Sequence, residues 1–208
     1  MEARFQPPER AYTAYIFDCD GTLVESMLLH HRAWRQALSA HGASFDFGWT
    51  LFTSRAGMTL EQTVVELNAQ FDTCLDPHSV AKHQRSDYRA LLPTVEAIEP
   101  VVSFARSLAG AAPLAVASGG MRQEVLQSLE IVGIRDLFDP VVTASDVQNG
   151  KPDPEMLLRC AQAMRVAPSD CLVIEDGELG IEAARRAGMA WVRVAEPRVG
   201  STTTRAAY

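Results

Sequence analysis

An apolar run, Tyr12-Thr13-Ala14-Tyr15-Ile16-Phe17, stops abruptly at Asp18-Cys19-Asp20-Gly21-Thr22. A run this short and this apolar suits a strand buried on both faces, and such strands belong to parallel sheets covered by helices. Period-2 geometry points Asp18 and Asp20 the same way where the strand ends. In an open α/β sheet the carboxyl ends of the strands form the ligand crevice, so two converging acids at this point mark a place for chemistry. Gly21 allows a tight turn that presents backbone N–H groups to an anion, and Thr22 can bond that turn or cap the helix that follows.

Three more polar stations close three more apolar runs. Leu114-Ala115-Val116-Ala117 ends in Ser118-Gly119-Gly120, and Val141-Val142-Thr143-Ala144 precedes Gly150-Lys151-Pro152-Asp153-Pro154. Cys171-Leu172-Val173-Ile174 ends in Glu175-Asp176-Gly177. Asp153 is a natural N-cap with Pro154 at the first helical position, which sets Lys151 just ahead of a helix N-terminus. Capping a helix takes one acid, so the pair Glu175-Asp176 exceeds what the following turn requires. Between these strands Val125, Leu129 and Val132 form one helical stripe ending near Gly133, and Leu157, Cys160, Ala161 and Met164 form another. With a last strand at Ala190-Trp191-Val192-Arg193-Val194, the alternation predicts an α/β fold, a doubly wound, Rossmann-like parallel sheet.

The alternation breaks between residues 26 and 93, where the sequence reads as consecutive helices. Met27, His31, Trp34 and Leu38 recur at helical spacing before Gly42; a second helix carries Val64, Val65 and Leu67, and a third runs from about His78 to Leu92. Residues 26–93 are therefore expected to form a small helical cap inserted into a core of residues 11–25 and 94–199. Its two crossings, near Val24-Glu25-Ser26 and from Pro93 to Pro100, are placed to act as a hinge. Residues 1–10 and the polar, small tail 200–208 are both expected to be loosely held.

Four strand ends offering Asp/Asp, Ser, Lys and Glu/Asp in that order resemble the haloacid dehalogenase-like hydrolases, in particular those with a helical cap after the first motif. The resemblance spans nearly the whole chain. It implies a phosphoryl-transfer site in which Asp18 attacks phosphorus to give an aspartyl-phosphate, while Asp20 protonates the leaving alcohol and then deprotonates the hydrolytic water. Ser118 and the Gly119 N–H, with Gly120 beside them, would hold a phosphate oxygen, and Lys151 would offset negative charge. Mg²⁺, a hard cation that takes oxygen ligands, would be held by Asp18, Asp176 and Glu175, with Asp20 contributing its main-chain carbonyl.

Inside the cap, His30-His31-Arg32-Ala33-Trp34 resembles the β-phosphoglucomutase and sugar-phosphate phosphatase branch, with His30 on the hinge-proximal histidine. The mutase pattern then fails. Its phosphate-clamping Arg falls on Leu60 in Gly57-Met58-Thr59-Leu60-Glu61, its cap lysine falls on Gln84, and its Ser-Lys pair becomes Gly120-Met121. Arg55 and Arg122 are the remaining candidates to reach a distal substrate group. A mutase must hold two phosphates at once, so hydrolysis is the better reading. Glu66-Leu67-Asn68, Leu75-Asp76-Pro77-His78 and Cys160-Ala161-Gln162 are similar to stretches of bacterial fructose-1-phosphate phosphatases, which turns the expected substrate toward a small phosphorylated sugar or polyol.

Composition narrows the partners. The chain has 208 residues, 47% of them hydrophobic, enough for one α/β core and a small extra domain. A net charge of −7 argues against a nucleic-acid backbone or an anionic membrane as partner. The four cysteines, Cys19, Cys74, Cys160 and Cys171, show no metal spacing and read as reduced core residues, and no stretch approaches the roughly 20 apolar residues that span a bilayer. Those features predict a cytoplasmic protein; with the resemblance above, the expectation is an enzyme acting on a small-molecule phosphate ester, and a monomer. Two rivals fit less well: a dehalogenase of this fold needs no acid at the Asp20 position, and a receiver-type phospho-acceptor module has no helical insert after the first strand.

Overall fold

The structure, a computed structural model, describes residues 4–55 and 58–195. Five strands, β1 (Ala14–Phe17), β2 (Leu114–Ser118), β3 (Val141–Thr143), β4 (Cys171–Glu175) and β5 (Ala190–Arg193), form a single sheet in the order β3-β2-β1-β4-β5. Every neighbouring pair is parallel. The chain leaves β1 toward β2 and β3 on one side and later returns to β4 and β5 on the other. The order therefore reverses between β1 and β4, which places the ligand crevice of a doubly wound sheet at their carboxyl ends.

Strand alternation divides the core into two layers. Tyr15, Phe17, Val116, Leu172 and Ile174 face α5 (Glu99–Leu108) and α6 (Arg122–Ile131) through Val101, Val102, Ala105, Val125 and Leu129. Ala14, Ile16, Ala115, Ala117 and Val173 face α7 (Glu155–Met164) and α8 (Glu178–Arg186) through Met156, Leu157, Cys160, Ala183 and Ala184. The second layer is built largely from alanines, so its helices lie close to the strands. Phe17, Ile16, Leu172 and Ile174 are wholly buried, and burial of such a side chain contributes roughly 1.5–3 kcal/mol.

Between the first two strands lie α1 (Ser26–Ala40), α2 (Trp49–Thr53), α3 (Leu60–Phe71) and α4 (Pro77–Leu91). They pack around their own cluster of Trp34, Ala37, Leu38, Phe47, Phe52, Val64, Leu67 and Val80. Local signals fix their starts: Thr59 and Gln62 form a reciprocal capping box at α3, while Asp76 accepts from the Ser79 N–H at 2.8 Å and Pro77 opens α4. The two crossings to the core lie side by side, with the Glu25 N–H donating to the Glu96 carbonyl and the Ile98 N–H to that of Leu23, both at 2.9 Å. Tyr88 and Leu92 at the end of the α4 region join the core layer beneath.

Two expectations change. Residues 1–10 were expected to be loose, yet Phe5 is 4% exposed and packs on Phe104 with ring centroids 5.3 Å apart. Arg4 is fixed as well, its guanidinium on Glu25 and on the Ala195 carbonyl. One aromatic side chain buried against α5 anchors the chain here; residues 1–3 lie outside the described residues. The tail expected to be loose at 200–208 lies outside the described residues. Helix α7 begins one residue later than the Asp153 cap implies: Pro154 takes the cap position, and the Asp153 carboxylate accepts from the Glu155 N–H at 2.9 Å.

Candidate active site

Register brings the acids together. Phe17 stands opposite Ile174, and the Asp18 N–H continues the ladder to the Ile174 carbonyl at 2.9 Å, so Asp18 and Glu175 leave neighbouring strands side by side. Lys151, carried by the loop before α7, reaches between them, its ammonium 2.7 Å from Asp18 and 2.7 Å from Glu175. Glu175 also accepts from the Gly177 N–H at 3.0 Å. Its two oxygens are thus directed at the lysine and at the turn into α8.

Asp176 is held on the other side by the first motif. Thr22 Oγ1 donates to it at 3.2 Å, so Thr22 serves the site rather than a helix cap. Gly21 takes φ +85°, and a Cβ there would stand 2.2 Å from Asp176 Oδ2. Backbone conformation and close approach both require glycine at this turn.

Asp20 has a separate setting. Its oxygens accept from Ser26 Oγ at 2.5 Å and from Ser118 Oγ at 3.3 Å, and Ser118 in turn accepts from the Gly120 N–H at 3.0 Å. Its carboxylate is oriented by the start of α1 and the end of β2, apart from the cluster of Asp18, Glu175 and Asp176. Ser26 is a site residue that the sequence gives no reason to choose, because only the folded crossing from core to cap sets it beside Asp20.

The remaining candidates divide between the site and other places. His30 lies over this region, stacked on Tyr88 with centroids 3.6 Å apart and Nδ1 3.5 Å from the Gln84 amide. Burial pushes its imidazole below the usual range against the opposing pull of Asp20 and Glu124. Gly119 is exposed at the mouth of the β2 turn. Arg122 and Arg55 are not brought to the cluster. Arg122 donates to the Val141 carbonyl at 3.1 Å and pairs with Asp146 at 3.0 Å, while Arg55 binds Gln70 and the Leu51 carbonyl within the cap.

Charge is the main physical problem of the site. Asp18, Glu175 and Asp176 each offer an oxygen within 4.8 Å of the others. Burial, then the Glu175 charge, push the Asp18 carboxyl well above its usual range, with Lys151 opposing. The same two causes push Asp176 up to about 7. Burial disfavours the Lys151 ammonium, but Asp18 and Glu175 outweigh it and hold the group above the ordinary lysine range. One ammonium among three carboxylates leaves net negative charge, and the donors are all oxygen. That set fits a hard divalent cation such as Mg²⁺.

A pH dependence follows for the cation-free protein. Asp176 titrates near 7 when folded and near 4 when unfolded, so the folded state holds the extra proton between these values. Its contribution to stability is therefore most favourable below about pH 4 and is lost as pH rises to about 7, by at most about 4 kcal/mol. In chelating buffer the urea midpoint should fall between about pH 5 and pH 7.5, and Asp176→Asn should flatten that slope. An Asp176→Asn profile as steep as the parent's would show that the slope originates elsewhere.

Known proteins resemble this chain in sequence and in fold. A family model described as haloacid dehalogenase-like hydrolase matches residues 12–188. The chain is 38% identical over 180 residues to the fructose-1-phosphate phosphatase YqaB of Escherichia coli, covering 86% of this chain and 94% of that protein. It is 32% identical over 183 residues to the validoxylamine A 7'-phosphate phosphatase of Streptomyces hygroscopicus, covering 86% and 83%. Among solved structures, CbbY from Rhodobacter sphaeroides in complex with phosphate superposes with a TM-score of 0.77 at 20% identity, over 89% of this chain and 87% of that one. At that identity the likeness concerns the fold. The family match over most of the chain and the convergence of Asp18, Asp20, Ser118, Lys151 and the Glu175-Asp176 pair agree: this protein belongs to the haloacid dehalogenase-like hydrolases.

Proposed function

We propose that the chain is a Mg²⁺-dependent phosphatase that hydrolyses a small phosphorylated sugar or polyol, of the fructose-1-phosphate kind, through an aspartyl-phosphate on Asp18. The observation that carries this reading is Lys151 bridging Asp18 and Glu175 at the crevice, with Asp176 beside them and Asp20 separately oriented. A buried carboxylate at the end of a strand, charge-compensated on one side, is a nucleophile set to attack from a fixed direction.

In the first step an Asp18 oxygen forms a bond to phosphorus as the ester P–O bond breaks, and the leaving oxygen takes the proton from Asp20. In the second, water attacks the phosphorus of the aspartyl-phosphate, Asp20 receives the water's proton, and the Asp18–phosphorus bond breaks to release inorganic phosphate. Ser26 keeps the Asp20 carboxyl directed through both steps, while Ser118, whose single hydroxyl proton goes to Asp20 in this structure, would turn it to a phosphoryl oxygen when substrate binds. Ser118 and the turn at Gly119 lie where a phosphoryl oxygen needs donors, and Lys151 draws negative charge from that group. Asp18 and Asp176 would hold Mg²⁺, with Glu175 bound mainly to Lys151; the ion supplies electrostatic stabilisation of the phosphoryl oxygens.

Substrate class rests on the relatives' activities and on the cap. Gln84 stands where a mutase keeps a lysine, and it is buried on His30 with no cation in its place. Met121, 51% exposed next to the phosphate turn, is apolar where a mutase has lysine. A substrate with one phosphate and a neutral polyol end suits that lining. Four unpaired cysteines, three of them buried, suit the cytoplasm, and among the described residues no helix is long and apolar enough to cross a membrane.

A panel of phosphorylated metabolites assayed for free phosphate tests the proposal. Hexose and polyol phosphates should be turned over with Mg²⁺ and not in excess chelator. With β-glucose-1-phosphate and a catalytic trace of the 1,6-bisphosphate, free phosphate should outrun glucose-6-phosphate by about tenfold or more. Full activity in chelator overturns the metal assignment, and faster glucose-6-phosphate formation makes the enzyme a mutase.

A further inference from the structure

Gly180, the third residue of α8, has no backbone reason to be glycine. It lies inside a helix with no positive φ, where glycine is less favourable than alanine. Beside it is Glu175: a Cβ on Gly180 would stand 1.9 Å from Glu175 Oε2, 2.2 Å from Cδ and 2.6 Å from Cγ. The side chain that would be struck is 4% exposed and is not the free end of a flexible chain, because its carboxylate is tied to Lys151 and to the Gly177 N–H.

We infer that Gly180 is a positioning residue of the active site, acting through Glu175 on Lys151. The space left by its missing side chain is filled by the Glu175 carboxylate, and that position sets the ammonium midway between two acids. With Glu175 displaced, Lys151 would be held by Asp18 alone, and the phosphoryl group would compete with the nucleophile for the same ammonium. The inference rests on the proposed phosphatase chemistry for its effect on turnover. Its steric basis is independent of that chemistry.

The test is a double-mutant cycle of Gly180→Ala and Glu175→Ala, read by phosphatase kinetics and by thermal unfolding. In the parent background Gly180→Ala should lower kcat/KM by a factor on the order of 10² and lower Tm. On Glu175→Ala the same change should alter kcat/KM by less than about threefold and should raise Tm, because the clash is gone and alanine favours the helix. A purely helical role predicts the same sign of Tm change in both backgrounds. Equal kinetic losses in the two backgrounds, or an unaffected Gly180→Ala enzyme, would overturn the inference. If the single variant fails to fold, the double variant should fold, and failure of both also overturns it. A parent without phosphatase activity sinks the proposed function, and the reversal in the sign of the Tm change then decides Gly180 alone.

Discussion

Replacing Asp18 with Asn should leave a folded protein with almost no turnover, reduced by a factor on the order of 10³ or more. The side chain sits at the end of the central strand, 9% exposed, with Lys151 2.7 Å away. The amide has nearly the same shape and can still accept from Lys151 through its oxygen, so packing around β1 is kept. It lacks the charge and the nucleophilic oxygen that form the phospho-enzyme, which closes the covalent route. Burial and Glu175 already disfavour the Asp18 carboxylate, so neutralising it should hold or raise Tm. The result to look for is loss of kcat with Tm at or above the parent's, and loss of acid-stable labelling by substrate phosphate. Turnover within about tenfold of the parent would remove Asp18 from the nucleophile's role.

The parts of this fold that were legible in the sequence are those written in short-range patterns. All five strands fall within a residue or two of the apolar runs; in β1 to β4 burial on both faces leaves no room for polar residues between their ends, while β5, at the sheet edge, alternates half-buried and exposed side chains. The polar stations mark the site for the same reason, since the chain turns polar where a strand reaches the crevice. Helix α2, Trp49–Thr53, is too short to show a 3.6-residue period, and the sequence pattern singles out no helix there. Phe5 and Arg4 are fixed by Phe104, Glu25 and Ala195, partners far along the chain that no local pattern announces. Arg122, a candidate for a distal substrate group, is held in this structure by Asp146 and the Val141 carbonyl, partners that no local pattern announces. Ser26 and Gly180 join the site only through three-dimensional contacts, one as a donor to Asp20 and the other as a space for Glu175.

Lys151→Met should be the most damaging single change to stability and activity together. Its ammonium lies between two acids, and the side chains of Lys151, Asp18 and Glu175 are 11%, 9% and 4% exposed. Removing the cation strands two carboxylates in a buried place, a loss of about 3–5 kcal/mol when one partner of a buried pair is deleted. Lys151 stays protonated throughout the accessible range, because its folded value is raised above the ordinary lysine range and its stabilisation is lost only as pH rises through that value. The pH dependence of the variant therefore comes from the carboxylates it leaves behind. Asp18, already displaced upward with the lysine present, should be displaced further without it, so the variant should be least stable at high pH and should recover as pH falls toward about 5. Arginine is no substitute, since a planar fork does not fit a point-charge position between two converging acids. Unfolding curves for parent and variant at about pH 5.5 and 8, with turnover at each, give the measurement: the gap in stability should widen with pH, and turnover should fall by a factor on the order of 10³. A gap that is constant with pH would mean that Lys151 supports the fold by packing alone, and the electrostatic reading of the pair would have to be abandoned.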